Sequence, residues 1–220
     1  MTESQLHISP QAVHAFDALQ RYIRPPALFV VISGPSGVGK DSVIRRMQEM
    51  DSSFRFIVTA TDRSPRPGEV HGVDYLFVST AEFERMIAED ELLEYARVYN
   101  QYKGVPKAQA CEALSSGQDV IMRVDVQGAE TMRRLVPGVL TIFLAPPSLD
   151  VLIQRLSRRN ADSVEQLQRR LDTAVAEMNA LPDFDYVVVN REDRLDESVR
   201  QIVSIIQAEK CRTARRNVTL

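Results

Sequence analysis

Cysteine is scarce in this chain. Its two cysteines, Cys111 and Cys211, lie far apart and form no metal-ligand or redox motif, so free thiols in a reducing cytosol are expected. No apolar run reaches the length needed to span a membrane. The N-terminal segment lacks the basic start, apolar middle and small-residue cleavage site of a secretory signal. Charge of one sign is lacking too: 27 Lys and Arg against 30 Asp and Glu leave a formal −3. That balance excludes a global basic field for nucleic acid or an anionic membrane, so arginine clusters need a local reason. There is no internal repeat and no low-complexity tract. With 44% hydrophobic and 26% charged residues over 220 positions, one substantial core with room for an inserted subdomain is expected.

Residues 1–26 read as an N-terminal extension. Ser9 as cap, Pro10 in the first turn, and Val13, Phe16, Leu19 and Ile23 at roughly helical spacing predict a short cytosolic helix packed on the domain. Arg21 and Arg24 raise the rival of an organelle-targeting segment, against which Glu3 and Asp17 weigh. After Pro25-Pro26, Leu28–Ser33 is a continuous apolar run, as are Val120–Met122, Leu140–Leu144 and Tyr186–Val189. Such runs suit strands buried on both faces of a parallel sheet. Helical patterns separate them at 43–50, 129–135, 149–156, 164–178 and 195–208. The fold class expected is therefore α/β, a parallel sheet core with helices on both faces. Residues 54–107 break the rhythm with shorter, mixed runs, Phe56–Val58 among them, and read as a small sheet-containing insertion. The polar, basic stretch 157–163 reads as a mobile lid.

Gly34-Pro35-Ser36-Gly37-Val38-Gly39-Lys40 fits the G-x-x-x-x-G-K half of a phosphate-binding loop. Small residues let backbone N–H groups turn inward around a phosphate, and the helix that follows adds its positive end. Lys40 then reaches the β- and γ-phosphates. A hydroxyl normally follows the lysine and binds Mg²⁺. Here Asp41 follows, then Ser42. Two arrangements stay open: Asp41 ligates the metal directly or through water, or Ser42 supplies the hydroxyl.

A loop of this kind says nucleotide, not reaction. The segment from Thr59 to Tyr75 says more, because Arg63 and Arg66 flank a proline and Tyr75 adds a hydroxyl. Two planar guanidiniums and a neutral donor are what a phosphate monoester requires.

The blocks GPSGVGK, TDRSPRPGE, GVDYLFV, LLEYARV, VDVQG, LAPPS and VVVN, in this order, resemble guanylate kinases from about Leu28 to Ala208. GVGKDSVI and YKGVPK look most like the plastid and mitochondrial branch and related bacterial forms. The resemblance implies a P-loop kinase fold with an inserted NMP-binding subdomain (about 54–107), a core of 27–53 and 108–210, a lid at about 155–170 and a tail from 211. It implies that Arg63, Arg66 and Tyr75 hold the GMP phosphate, that Thr59 contacts GMP and that Glu94 reads guanine. Asp125 matches an aspartate near the base and the metal-bound phosphates, and Asn190 a position close to the ATP base. Arg155, Arg159 and Arg170 match the lid arginines that work with Lys40 in catalysis. Three positions depart from the family pattern: Arg123 replaces an aspartate, Lys103 a second phosphate-binding tyrosine, and Val105 a hydroxyl residue.

The activity implied is direct in-line transfer from ATP to GMP or dGMP with Mg²⁺, by a cytoplasmic monomer or homodimer that engages neither membrane nor nucleic acid. The rivals are a sugar-bisphosphate kinase on the same scaffold and a non-catalytic guanylate-kinase-like binding module. A GTPase is disfavoured because no convincing N-K-x-D segment is present.

Overall fold

A strand that must be apolar on both faces has to be sandwiched, and Leu28–Ser33 shows how. In the computed structural model, which describes residues 9–17, 19–66, 68–98, 101–157 and 164–220, Leu28, Val30 and Ile32 point into one cluster with Val43, Met47, Val199, Ile202 and Ile206. Phe29 and Val31 point the other way, onto Ala110, Ala129 and Met132. Each fully buried Val or Ile contributes roughly 1.5–3 kcal/mol, so the two layers hold the sheet from both sides.

Two short helices, α1 (Pro10–Asp17) and α2 (Gln20–Ile23), precede strand β1 (Phe29–Ser33). Then come α3 (Lys40–Met50), β2 (Arg55–Phe56), β3 (Ala60–Thr61), β4 (Leu76–Phe77), α4 (Thr80–Ala88), β5 (Leu92–Val98), β6 (Gln101–Pro106) and α5 (Lys107–Ser115). The chain continues through β7 (Val120–Arg123), α6 (Val126–Leu135), β8 (Leu140–Ala145), α7 (Leu149–Ser157), α8 (Val164–Met178), β9 (Tyr186–Val189) and α9 (Leu195–Lys210). The main sheet has the order β2-β7-β1-β8-β9, and every pair in it is parallel. The carboxyl ends of its strands therefore lie along one edge, where open α/β sheets hold ligands.

A second, four-stranded sheet has the order β4-β3-β6-β5, with β5–β6 and β6–β3 antiparallel. It packs on α4 through Ala60, Phe83, Met86 and Leu92.

Some expectations change. Phe56–Val58 was expected inside the insertion, but β2 pairs with β7 in the main sheet, Phe56 opposite Ile121. Its apolar residues face the main core, with Phe54 and Phe56 in one layer and Ile57 in the other. Helix α4 was not anticipated, although its start carries a capping signal: Ser79 Oγ accepts from the Glu82 N–H at 3.1 Å, and a glutamate stands three residues after the cap. Helix α5 was also missed. The N-terminal helix does not pack its apolar residues on the domain. Val13, Phe16, Leu19 and Ile23 are exposed, and the segment touches the rest of the protein where Arg215 stacks over the Tyr22 ring at 4.7 Å.

The tail is docked. Arg216 bonds Glu209 at 2.8 Å and the Val139 carbonyl at 2.8 Å, and Thr219 N–H donates to Pro137 at 3.4 Å. Cys111 and Cys211 are both exposed free thiols.

Candidate active site

The phosphate-type loop leaves the carboxyl end of β1. Gly34 adopts φ +140°, and a Cβ there would sit 2.2 Å from the Leu144 carbonyl oxygen. Gly39 adopts φ +99°, and a Cβ would lie 2.6 Å from Asn190 Nδ2. Only glycine fits either position. α3 begins at Lys40, directly after Gly39, so its free N–H groups open onto the loop. Lys40 Nζ folds back to donate to the Gly34 carbonyl at 2.5 Å and the Pro35 carbonyl at 3.1 Å. Burial lowers its pKa, while the carboxylates of Glu177, Asp41 and Asp125 act in the opposite direction.

The loop is braced from behind. Asn190, 5% exposed, donates from Nδ2 to the Val38 carbonyl at 2.8 Å and accepts from Ser198 Oγ at 3.3 Å. Arg155 donates to the Val38 and Asn190 carbonyls, both at 3.0 Å. Asn190, expected near the ATP base, therefore directs its side chain into the protein. Arg155, expected in the lid, is anchored to the loop.

A cavity of about 510 Å³ runs from Lys40 to Glu94 and is walled by Thr59, Tyr75, Lys103 and Asp125. It opens beside a wider cleft of about 1420 Å³ that also takes in Arg63, Arg66, Arg170 and Glu177. The second sheet places the acceptor-side groups. Thr59 precedes β3 and Arg63 follows it, while Tyr75 leads into β4. Glu94 on β5 lies opposite Val105 of β6, and the pairing register shifts between Leu92 and Glu94. A bulge at that point re-aims the following side chain. Burial, then the nearby Asp125 carboxylate, raises the Glu94 pKa to about 7. Val105 is buried and adds an apolar wall.

Arg63 and Arg66 differ. The Arg63 guanidinium grips Glu69 with two hydrogen bonds of 2.6 Å and stacks over the Tyr75 ring at 4.8 Å. These bonds raise the Arg63 pKa and hold the Glu69 carboxyl at about 2. Arg66 is exposed and faces the cleft. Asp125 caps α6, its Oδ1 accepting from the Gly128 N–H at 2.8 Å, and it borders both cavities.

The sequence model of the guanylate kinase family matches residues 27–209. The chain belongs to the guanylate kinase family. It is 47% identical over 197 residues to "Guanylate kinase 2, chloroplastic/mitochondrial" of Oryza sativa subsp. japonica, covering 89% of this chain and 69% of that protein. It is 41% identical over 193 residues to a guanylate kinase of Caldanaerobacter subterraneus subsp. tengcongensis, covering 88% and 93%. Its structure resembles the crystal structure of guanylate kinase from Anaplasma phagocytophilum, with a TM-score of 0.70 and 30% identity over 87% of this chain and 90% of that one.

Within this guanylate kinase fold, Lys40, Thr59, Tyr75, Glu94, Lys103 and Asp125 come together on one cavity. Arg63, Arg66 and Arg170 lie along the adjoining cleft, and Arg170 also donates to the Leu156 carbonyl at 3.4 Å. Arg159 lies outside the described residues.

Two groups were missed from sequence. Glu177 of α8 accepts from the Ser36 N–H at 3.0 Å, occupying a loop amide of the kind that binds phosphate. No motif surrounds it, and nothing short of helix packing reveals it. Arg123 was noted as a departure, but its role as the partner of Asp41 was not foreseen.

The residues present suit a magnesium ion. Among the described residues, no group of three or more His, Cys, Asp or Glu could hold a metal alone. Asp41, Ser42 and Asp125 nevertheless line the cavity beside the loop. Mg²⁺ keeps several waters and takes one or two protein oxygens beside substrate phosphates, which matches this sparse donor set.

Proposed function

We propose that this chain phosphorylates GMP, and dGMP, with ATP in one direct in-line step. The observation that carries this reading is the shared cavity, in which the loop lysine Lys40 and the polar groups Thr59, Tyr75, Glu94 and Lys103 face one space. The loop from Gly34 to Ser42 takes the ATP phosphates, with Lys40 leaving its own loop carbonyls to reach them. Arg63, Arg66, Tyr75 and Lys103 hold the acceptor phosphate, with the Thr59 hydroxyl beside it.

Glu94, ionised, accepts from guanine N1–H and the exocyclic amine together. Adenine has no N1–H to offer, so a carboxylate in a largely buried position would be left underpaired, which is how the pocket rejects it.

In the transfer, a GMP phosphate oxygen forms the new bond to the γ-phosphorus as the bond to the β–γ bridging oxygen breaks, and ADP leaves with that electron pair. The acceptor is already anionic, so no general base and no phosphoenzyme are needed. Positioning and charge neutralisation supply the catalysis. A Mg²⁺ ion would be held by Ser42, Asp41 or Asp125 and would supply Lewis-acid charge to the donor phosphates. Arg155 contributes positive charge from its anchor on the loop, and Arg170 and Arg159 add theirs as the lid and the insertion close, which also excludes water from the γ-phosphate.

We place the reaction in the cytoplasm, supported by the two exposed free thiols, by a monomer or homodimer. A sugar-bisphosphate kinase would have no use for Glu94 beside this phosphate-binding group, and a non-catalytic module would not need Lys40. A coupled ADP-release assay with Mg·ATP against GMP, dGMP, AMP and ribose 1,5-bisphosphate tests the proposal. Turnover with GMP and dGMP is expected. No turnover with GMP overturns it.

A further inference from the structure

Arg123 stands at the carboxyl end of β7, between the loop that opens α3 and the wall of the acceptor cavity. Its Nη1 is ion-paired with Asp41 Oδ1 in the first turn of α3. Its Nη2 lies 3.5 Å from the Asp74 carbonyl, and its guanidinium carbon is 5.5 Å from the centre of the Tyr75 ring. The Arg123 side chain is 23% exposed and that of Asp41 62%, and both residues border both cavities. One guanidinium thus touches the donor loop's helix on one side and the acceptor segment on the other.

Asp41 also stands directly after the loop lysine, where a phosphate-binding loop ordinarily carries a hydroxyl. Each partner alone is awkward. An unpaired Asp41 would face the triphosphate, and an unpaired Arg123 would leave a partly buried cation without a counter-charge. Together they neutralise each other. Beside Arg63, which also pairs with Glu69, Arg123 is a second cation over the Tyr75 ring, with a fork able to bind a phosphate oxygen.

We propose that Arg123 is an additional phosphate-binding residue for the acceptor nucleotide, and that Asp41 positions it instead of serving as a magnesium ligand. The inference rests on the GMP kinase reading above. Asp41 holds the guanidinium facing the cleft. A GMP phosphate carried by Arg66 and Tyr75 then takes its remaining N–H groups.

Calorimetric titration of GMP into the metal-free protein, together with steady-state kinetics, tests this. Arg123→Ala is expected to weaken GMP binding and raise its KM by about 10–100-fold, the size of one lost charge-assisted contact, while the KM for ATP shifts less than about twofold. Arg123→Lys should recover part of the loss, which a merely structural role would not predict. Asp41→Asn should also weaken GMP binding, and combining it with Arg123→Ala should add little. The Mg²⁺ dependence of ADP binding should be unchanged in Asp41→Asn.

Unchanged GMP binding in a folded Arg123→Ala protein overturns the phosphate role. A marked loss of Mg²⁺-dependent ADP binding in Asp41→Asn overturns the positioning role and makes Asp41 a metal ligand. Wild-type protein that binds no GMP overturns the acceptor reading itself, an outcome distinct from both.

Discussion

The Glu177 carboxylate accepts a hydrogen bond from the Ser36 backbone N–H at 3.0 Å, across 141 residues of sequence. A carboxylate of the protein thus occupies one of the loop's backbone N–H donors. Burial raises its pKa, with the Ser36 bond and Lys40 opposing. A donor phosphate has to displace this group, and the two anions repel. Glu177→Gln is therefore predicted to tighten ADP binding several-fold, since removing the charge removes the repulsion. Calorimetry with ADP checks it. Equal or weaker affinity in the variant would contradict the competition.

Glu94 predicts two opposite pH trends. Its pKa of about 7 means that Glu94 is a neutral carboxyl below that pH, which cannot accept both guanine donors. GMP binding should weaken as pH falls below about 7, by up to about tenfold per unit. Glu94→Gln should bind GMP at least about tenfold more weakly, keeping only the pH dependence of the nucleotide phosphate. An identical pH profile in both proteins rules out Glu94 as the base reader.

Stability should run the other way. The folded-state pKa of Glu94 stands above its ordinary 4.5, so the folded protein holds a proton that the unfolded chain releases. That contribution is fully present below about 4.5 and is lost as pH rises through about 7. Glu94→Gln should flatten this part of the curve. Thermal melts of both proteins from pH 5 to 8.5 would detect the difference, and parallel curves would show that the shift is absent.

Arg63 and Arg66 should separate experimentally. Arg66 is exposed at the cleft, so Arg66→Ala should raise the KM for GMP about tenfold with an unchanged melting temperature. Arg63→Ala should also lower the melting temperature by a few degrees, because it leaves Glu69, whose side chain is 20% exposed, with the Arg66 N–H but without its counter-charge. Identical melting behaviour of the two variants would remove the structural role assigned to Arg63.

Lys40→Ala should cut kcat by about 10²–10³-fold or more while far-ultraviolet circular dichroism stays unchanged. Among the described residues, the lysine bonds two loop carbonyls and adds little to the core. Activity within tenfold of wild type would remove it from the transfer step.

The glycine loop and the Thr59–Tyr75 segment were legible in the sequence, because each is a contiguous run, and the structure brings both to one cleft. The turn at the loop needs glycine at Gly34 and Gly39. The strands of the main sheet were legible for a similarly local reason: a strand buried on both faces must be apolar throughout.

Tertiary structure alone decided the rest. It turned Asn190 and Arg155 inward to brace Val38, bound Arg123 to Asp41 across 82 residues, and brought Glu177 to Ser36. The register shift that aims Glu94 belongs to the pairing of β5 with β6, not to either strand alone. Local patterns record what a residue's own segment requires of it. The partner of a charged side chain depends on how separate helices and sheets pack, and that packing brings together residues that no motif joins.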